Sequence, residues 1–126
     1  ACGQETCILP SAVLSSHTGG FQNPTFRDLT EDMPSIKEHW MKEGIQFDAI
    51  YTGYLGSTKQ IDYVADIFEA TASEKGVKIV DPAMADNGNL YPGFDMAFVE
   101  ASPNIFFHYL QDQSQYLWFL TKPLPL

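Results

Sequence analysis

An α/β fold, with a mainly parallel sheet covered by helices, is the class this sequence predicts, and three observations predict it. Apolar, β-branched runs alternate along the chain with stretches of helical period. The strand-like runs stop in polar, glycine-bearing clusters: "SSHTGG", "TGYLGS" and "DPAMADNG". The order is strand, loop, helix, strand, helix, strand, loop and a helix from about Phe94, and such alternation implies right-handed crossovers.

Each element has its own signal. "TCILPSAVLS" is rich in β-formers and reads as one strand, or two short ones broken at Pro10. Residues 15–28 read as a loop punctuated by Gly19, Gly20 and Pro24. "TEDMPSIKEHWMKEG" predicts a helix capped by Thr30 or Asp32, with Pro34 in its first turn and Gly44 at its end. Met33, Ile36 and Trp40 share its inner face. "FDAIYTGYL" predicts a second strand. Ser57 then caps a helix whose inner face is Ile61, Val64, Ile67 and Phe68, closed by Gly76. "VKIVDP" predicts a third strand stopped by Pro82, and "AMADNGNLYPG" a long loop turning at Asn87-Gly88.

The totals bound the function. A chain of 126 residues, 44% hydrophobic, can bury a core as one domain or a piece of one. Acidic residues outnumber basic ones by 16 to 7, and no basic cluster exists, so nucleic acid and anionic membrane are not expected partners. An anionic ligand must be held by backbone N–H groups, helix N-termini or a bound cation. Cys2 and Cys7 make no metal or disulfide framework and read as reduced thiols of a cytoplasmic protein. No apolar run approaches the roughly 20 residues of a membrane span. The chain begins at Ala1, and its last run, "YLWFLTKPLPL", has no terminal cap, so both ends read as cut.

In an open α/β sheet, ligands bind beyond the carboxyl ends of the strands, where the three clusters are expected to converge. Thr18 offers a donor and an acceptor, His17 an imidazole, and Gly19 and Gly20 allow close backbone approach. The same residues also read as a turn whose hydroxyls satisfy local backbone groups. Tyr54 can cover an aromatic ligand, or simply pack at a strand end. Asp81 and Asp86 can hold a hard cation against phosphate oxygens, or cap loop amides. Carboxylates alone repel a nucleotide, so the first of these readings requires a metal ion. The helical acids, Glu31, Asp32 and Glu38 among them, read as solvated faces.

Four blocks now stand in order: "LPSAVLSSHTGGF", "FRDLTEDMPSIKEHW", "FDAIYTGYLGS" and "VDPAMADNGNLYPGFD". Together they closely resemble pyridoxal/pyridoxamine kinases of the ribokinase-like superfamily, from about Thr6 to Asp95. The resemblance implies a three-layer sandwich of which this chain holds the N-terminal half. It implies transfer of the γ-phosphoryl group of ATP to the hydroxymethyl group of pyridoxal, pyridoxamine or pyridoxine. His17 and Thr18 would line the pyridine ring, with Ser16, Gly19 and Tyr54 in the same substrate site. Asp81 and Asp86 would lie by the ATP phosphates with Mg2+, and a monovalent cation such as K+ is a further expectation. Tyr91 would lie near the nucleotide. A homodimer is implied for intact relatives.

The chain also departs from the family. The family's earlier strand and substrate loop would lie before Ala1. Its "GTGD" motif, which supplies the base for the attacking hydroxyl, does not occur in these residues. Residues 1–100 therefore read as a partial kinase domain, and 101–126 as a divergent apolar tail. Three other readings stand beside this one: a hydroxymethylpyrimidine kinase of the same superfamily, a non-catalytic ligand-binding half-domain, and a truncated product without function.

Overall fold

The computed structural model describes residues 3–17, 21–81, 83–86 and 89–102. The chain runs β1 (Ala12–Leu14), β2 (Phe26–Asp28), a 3-10 turn (Thr30–Asp32), α1 (Met33–Lys42), β3 (Phe47–Thr52), α2 (Thr58–Thr71) and β4 (Ala72–Val80). It ends in β5 (Ala85–Asp86), β6 (Asn89–Leu90) and α3 (Met96–Ala101).

The α/β class holds. β3 and β4 are parallel, joined through α2, with Ala49 opposite Val77 and Thr52 opposite Val80. Among the described residues this parallel pair is accompanied by two antiparallel pairs, β1 with β2 and β5 with β6. β1 falls in the predicted first strand, whereas β2, β5 and β6 fall where the sequence predicts loops. Phe26–Asp28 folds back on Ala12–Leu14, so the stretch 15–28 is the connection and return strand of a hairpin. Ala85 pairs Leu90 and Asp86 pairs Asn89; the predicted turn residues between them, Asn87 and Gly88, lie outside the described residues. "TCILP" has no regular structure, and the first strand is confined to three residues beyond Pro10.

The two long helices form as their spacing dictates. α1 carries Pro34 in its first turn and buries Met33 and Trp40. Its end is a Schellman cap: Gly44, at φ 68°, donates to Met41 O (3.1 Å) and Ile45 donates to Trp40 O (2.9 Å). Neither predicted capping side chain, Thr30 or Asp32, caps α1. The 3-10 turn before α1 is held by Asp28, whose Oδ1 accepts from Thr30 N (2.8 Å) and Thr30 Oγ1 (2.6 Å). α2 starts at the predicted Ser57, whose Oγ accepts from Gln60 N at 3.3 Å.

The closing of α2 differs from expectation. The helix stops at Thr71, and Ala72 is already extended (φ −71°, ψ 136°), so Gly76 lies inside β4. Its missing side chain serves a close approach: a Cβ there would stand 2.9 Å from Phe47 O, beside the register shift between Phe47 and Ala49.

The core is Met33, Ile61, Val64, Phe68, Met84 and Phe98, so α1, α2, α3 and the loop before β5 share one apolar cluster. Full burial of a side chain such as Phe68 stabilises by roughly 1.5–3 kcal/mol. Ile50 and Val80 pack against this cluster, whereas Tyr51, Val77 and Ile79 are exposed. Two ion pairs, Lys37 with Asp66 and Lys59 with Glu31, tie α1 and the 3-10 turn before it to α2 across the surface. Among the described residues no helix is long and apolar enough to cross a membrane. Cys7 is free and exposed; Cys2 lies outside the described residues.

Candidate functional site

The parallel pair brings two of the three polar clusters together. Asp81, the first residue past β4, donates its N–H to Thr52 O at the end of β3 (3.1 Å). Tyr51 Oη donates to Asp81 Oδ2 at 2.7 Å. The segment after β6 then folds back on the second cluster. Phe94 N–H closes a turn on Tyr91 O (3.2 Å), and the Phe94 ring stands edge-on to Tyr54, centroids 5.8 Å apart. Phe94 in turn packs edge-on against Phe98 of α3 at 4.7 Å. Aromatic pairs prefer this edge-to-face geometry.

The loop bearing Tyr54 is tied to the hairpin by a polar network centred on the buried Gln60. Ser11 Oγ donates to Tyr54 O (2.8 Å), and Gly56 N–H donates to Gln60 Oε1 (2.7 Å). Gln60 Nε2 donates to Ser11 O (2.9 Å) and Thr30 Oγ1 (2.8 Å), with Asp28 Oδ1 at 3.3 Å. The Thr30 hydroxyl, then its backbone N–H, hold the Asp28 carboxyl below its usual 3.8. Partial burial, and secondarily the Asp28 charge, push the Tyr54 phenol up.

A mostly apolar cleft of about 380 Å³ runs alongside β3, between residues 6–9 and the helices, and Tyr54, Tyr51 and Thr52 all line it. Thr52 is 6% exposed, and among the described residues its Oγ1 is the one buried side-chain oxygen or nitrogen without a hydrogen-bond partner.

The predicted site residues stand as follows. Tyr54 is 39% exposed at the end of the cleft, and Tyr91, 42% exposed, follows β6. Asp81 is exposed at the end of β4, and Asp86 is placed by its backbone in β5. Ser16 is half-buried and His17 exposed at the far end of β1, where Ser15 Oγ accepts from Thr25 N–H across the hairpin (2.8 Å). Thr18 and Gly19 lie outside the described residues. The geometry thus joins the clusters of Tyr54 and Asp81 directly, and reaches the first strand at Ser11. Among the described residues no three His, Cys, Asp or Glu side chains gather as a metal cage. The strand end offers the Asp81 carboxylate, whose hard oxygens suit a hydrated divalent ion that completes its shell with waters and phosphate.

Sequence reasoning did not single out Ser11, Asp28, Tyr51 or Gln60. One signal was available: Ser57-x-x-Gln60 has the spacing of a capping box. Gln60 departs from that pattern by one residue, accepting from Gly56 rather than from Ser57 N–H.

No family model matches the chain. It is 31% identical over 93 residues to the "Putative pyridoxal kinase BUD17" of Saccharomyces cerevisiae, covering 71% of this chain and 29% of that protein. Its fold superposes on a "putative phosphomethylpyrimidine kinase" from Bacteroides thetaiotaomicron with a TM-score of 0.82 and 38% identity, covering 94% of this chain and 42% of that one. An orthorhombic crystal form of the Bacteroides protein was determined with pyridoxal. Pyridoxal kinase from Lactobacillus plantarum matches with a TM-score of 0.69 and 35% identity, over 77% of this chain and 34% of that one. The chain therefore spans under half the length of the relatives it matches. The fold and these likenesses define a kinase-like chain of the ribokinase-like superfamily. Within that class it is a pyridoxal-kinase-like protein, matched over part of its relatives' length.

Proposed function

We propose that this chain carries the vitamin side and part of the phosphate side of a kinase that phosphorylates the hydroxymethyl group of pyridoxal or a related vitamer with ATP. One observation carries the reading: Tyr51–Asp81 and Asp81–Thr52 staple the ends of β3 and β4, so that the strand end leading into the Tyr54 loop and the strand end leading into Asp81 lie side by side. Such an edge is where open α/β sheets bind ligands.

Phosphoryl transfer needs positioning and charge neutralisation more than covalent chemistry. Tyr54 presents an aromatic face and edge to a pyridine ring, with Phe94 fixing its tilt. Thr18 and His17, with Ser16 and Gly19, complete the ring site. Asp81 and Asp86 hold Mg2+, and Tyr91 lies toward the nucleotide. When bound, the Mg2+ ion offsets phosphate charge that a chain of net charge −9 would otherwise repel. The hydroxyl proton needs a base, and the "GTGD" that supplies it in the family does not occur here. The 126 residues alone therefore bind the vitamin weakly and do not turn it over.

The name of the Bacteroides relative favours a second reading, a hydroxymethylpyrimidine kinase. The pyridoxal in one of its crystal forms keeps the vitamin reading ahead. Calorimetric titration with pyridoxal and with hydroxymethylpyrimidine, beside a coupled ADP-release assay, tests both. The expected outcome is saturable pyridoxal binding, weaker pyrimidine binding and no ADP release. Robust turnover would contradict the assignment of the base outside these residues, and preferential pyrimidine binding would favour the second reading.

A further inference from the structure

We propose that Gln60 is a positioning residue for the ring site: it sets the Tyr54 loop against the entry of the β1–β2 hairpin, and so fixes how Tyr54 meets a ligand. The inference rests on the vitamin-kinase reading and assigns it a residue that touches no substrate.

Gln60 is 1% exposed, at the start of α2. Its carboxamide accepts from Gly56 N–H at 2.7 Å and donates to Ser11 O at 2.9 Å and Thr30 Oγ1 at 2.8 Å. The amide has one orientation that works, because Gly56 N–H can only donate and Ser11 C=O can only accept. A buried glutamine on a helix needs no such reach to be satisfied; a local backbone partner would suffice. This one instead joins the entry of β1, the exit of β2 and the 53–56 loop.

Ser11 doubles the tie. Its carbonyl accepts from Gln60 while its hydroxyl donates to Tyr54 O at 2.8 Å. The loop is therefore pinned at two backbone points, Tyr54 O and Gly56 N, on either side of Leu55. With both fixed, the Tyr54 ring has a defined exit direction toward Phe94. Loops held at two points around a binding side chain lose less freedom when the ligand arrives, which raises affinity by preorganisation.

The test uses the full 126-residue chain and pyridoxal as the probe. Dissociation constants are measured in the cold, well below each variant's melting midpoint, for the unaltered chain, Gln60→Met and Ser11→Ala. Ser11→Ala removes the Tyr54 tether, leaves Gln60 in place and changes only a half-buried hydroxyl, so folding is retained even where Gln60→Met is too unstable to study. Each variant is expected to weaken pyridoxal binding about tenfold while folded. Lower melting midpoints with unchanged dissociation constants would make Gln60 a purely structural residue and overturn the inference, leaving the vitamin reading intact. Failure of the unaltered chain to bind pyridoxal would overturn that reading and this inference with it.

Discussion

Asp28 shows at the residue scale how one carboxylate organises two segments. It accepts two hydrogen bonds from Thr30 in the turn before α1 and faces the amide of Gln60, and its hydrogen bonds with Thr30 favour the ionised form. A carboxyl held below its unfolded value of 3.8 contributes stability that is present above that value and is lost as pH falls through the folded value. Comparing denaturation midpoints of the chain and Asp28→Asn between roughly pH 6 and pH 2 checks this. The variant is expected to be less stable near neutrality and to lose less on acidification; parallel pH profiles would show that Asp28 does not contribute. Thr52 is the opposite case. A buried hydroxyl without a partner costs about 1–3 kcal/mol, so Thr52→Val is expected to raise the melting midpoint of the unliganded chain, or at least not lower it. A clear fall would reveal a partner for that oxygen.

At the element scale, α1, α2 and β3 were legible because their signals are local. The apolar faces of Met33 and Trp40, and of Ile61, Val64, Ile67 and Phe68, recur at helical spacing, and Ser57 and Gly44 mark the ends. The antiparallel partner of β1 and the β5–β6 pair were not legible. Phe26–Asp28 has no alternation that distinguishes it from a loop, and it becomes a strand only because Ala12–Leu14 lies beside it. Gly76 misled for a related reason: a glycine after an apolar helix reads as a cap, but here it is required by Phe47 O across the parallel pair. Gly76→Ala is therefore expected to destabilise the chain by about 1–3 kcal/mol, read as a lower denaturant midpoint. A neutral result would mean that the β3–β4 entry can spread without cost.

At the scale of the whole molecule, the sequence identified Tyr54 and Asp81 as candidates but not the contacts that set their strand ends side by side. Tyr51 looked like a strand residue, yet its hydroxyl reaches Asp81 from 30 positions away. The Ser11–Gln60 tie spans 49 positions, a separation at which no local pattern carries information. The cleft beside β3 depends on the same long-range packing, since residues 6–9 form one of its sides without any regular structure of their own. The central claim is that the ends of β3 and β4 form one ligand site. Backbone amide shift mapping by NMR, with pyridoxal added first and Mg-ATP second, tests it most directly. The account predicts saturable changes at Gly53–Leu55 with pyridoxal, then at Thr52, Asp81 and Asp86 with Mg-ATP. Changes confined to another surface, such as the solvent face of α1, would contradict it.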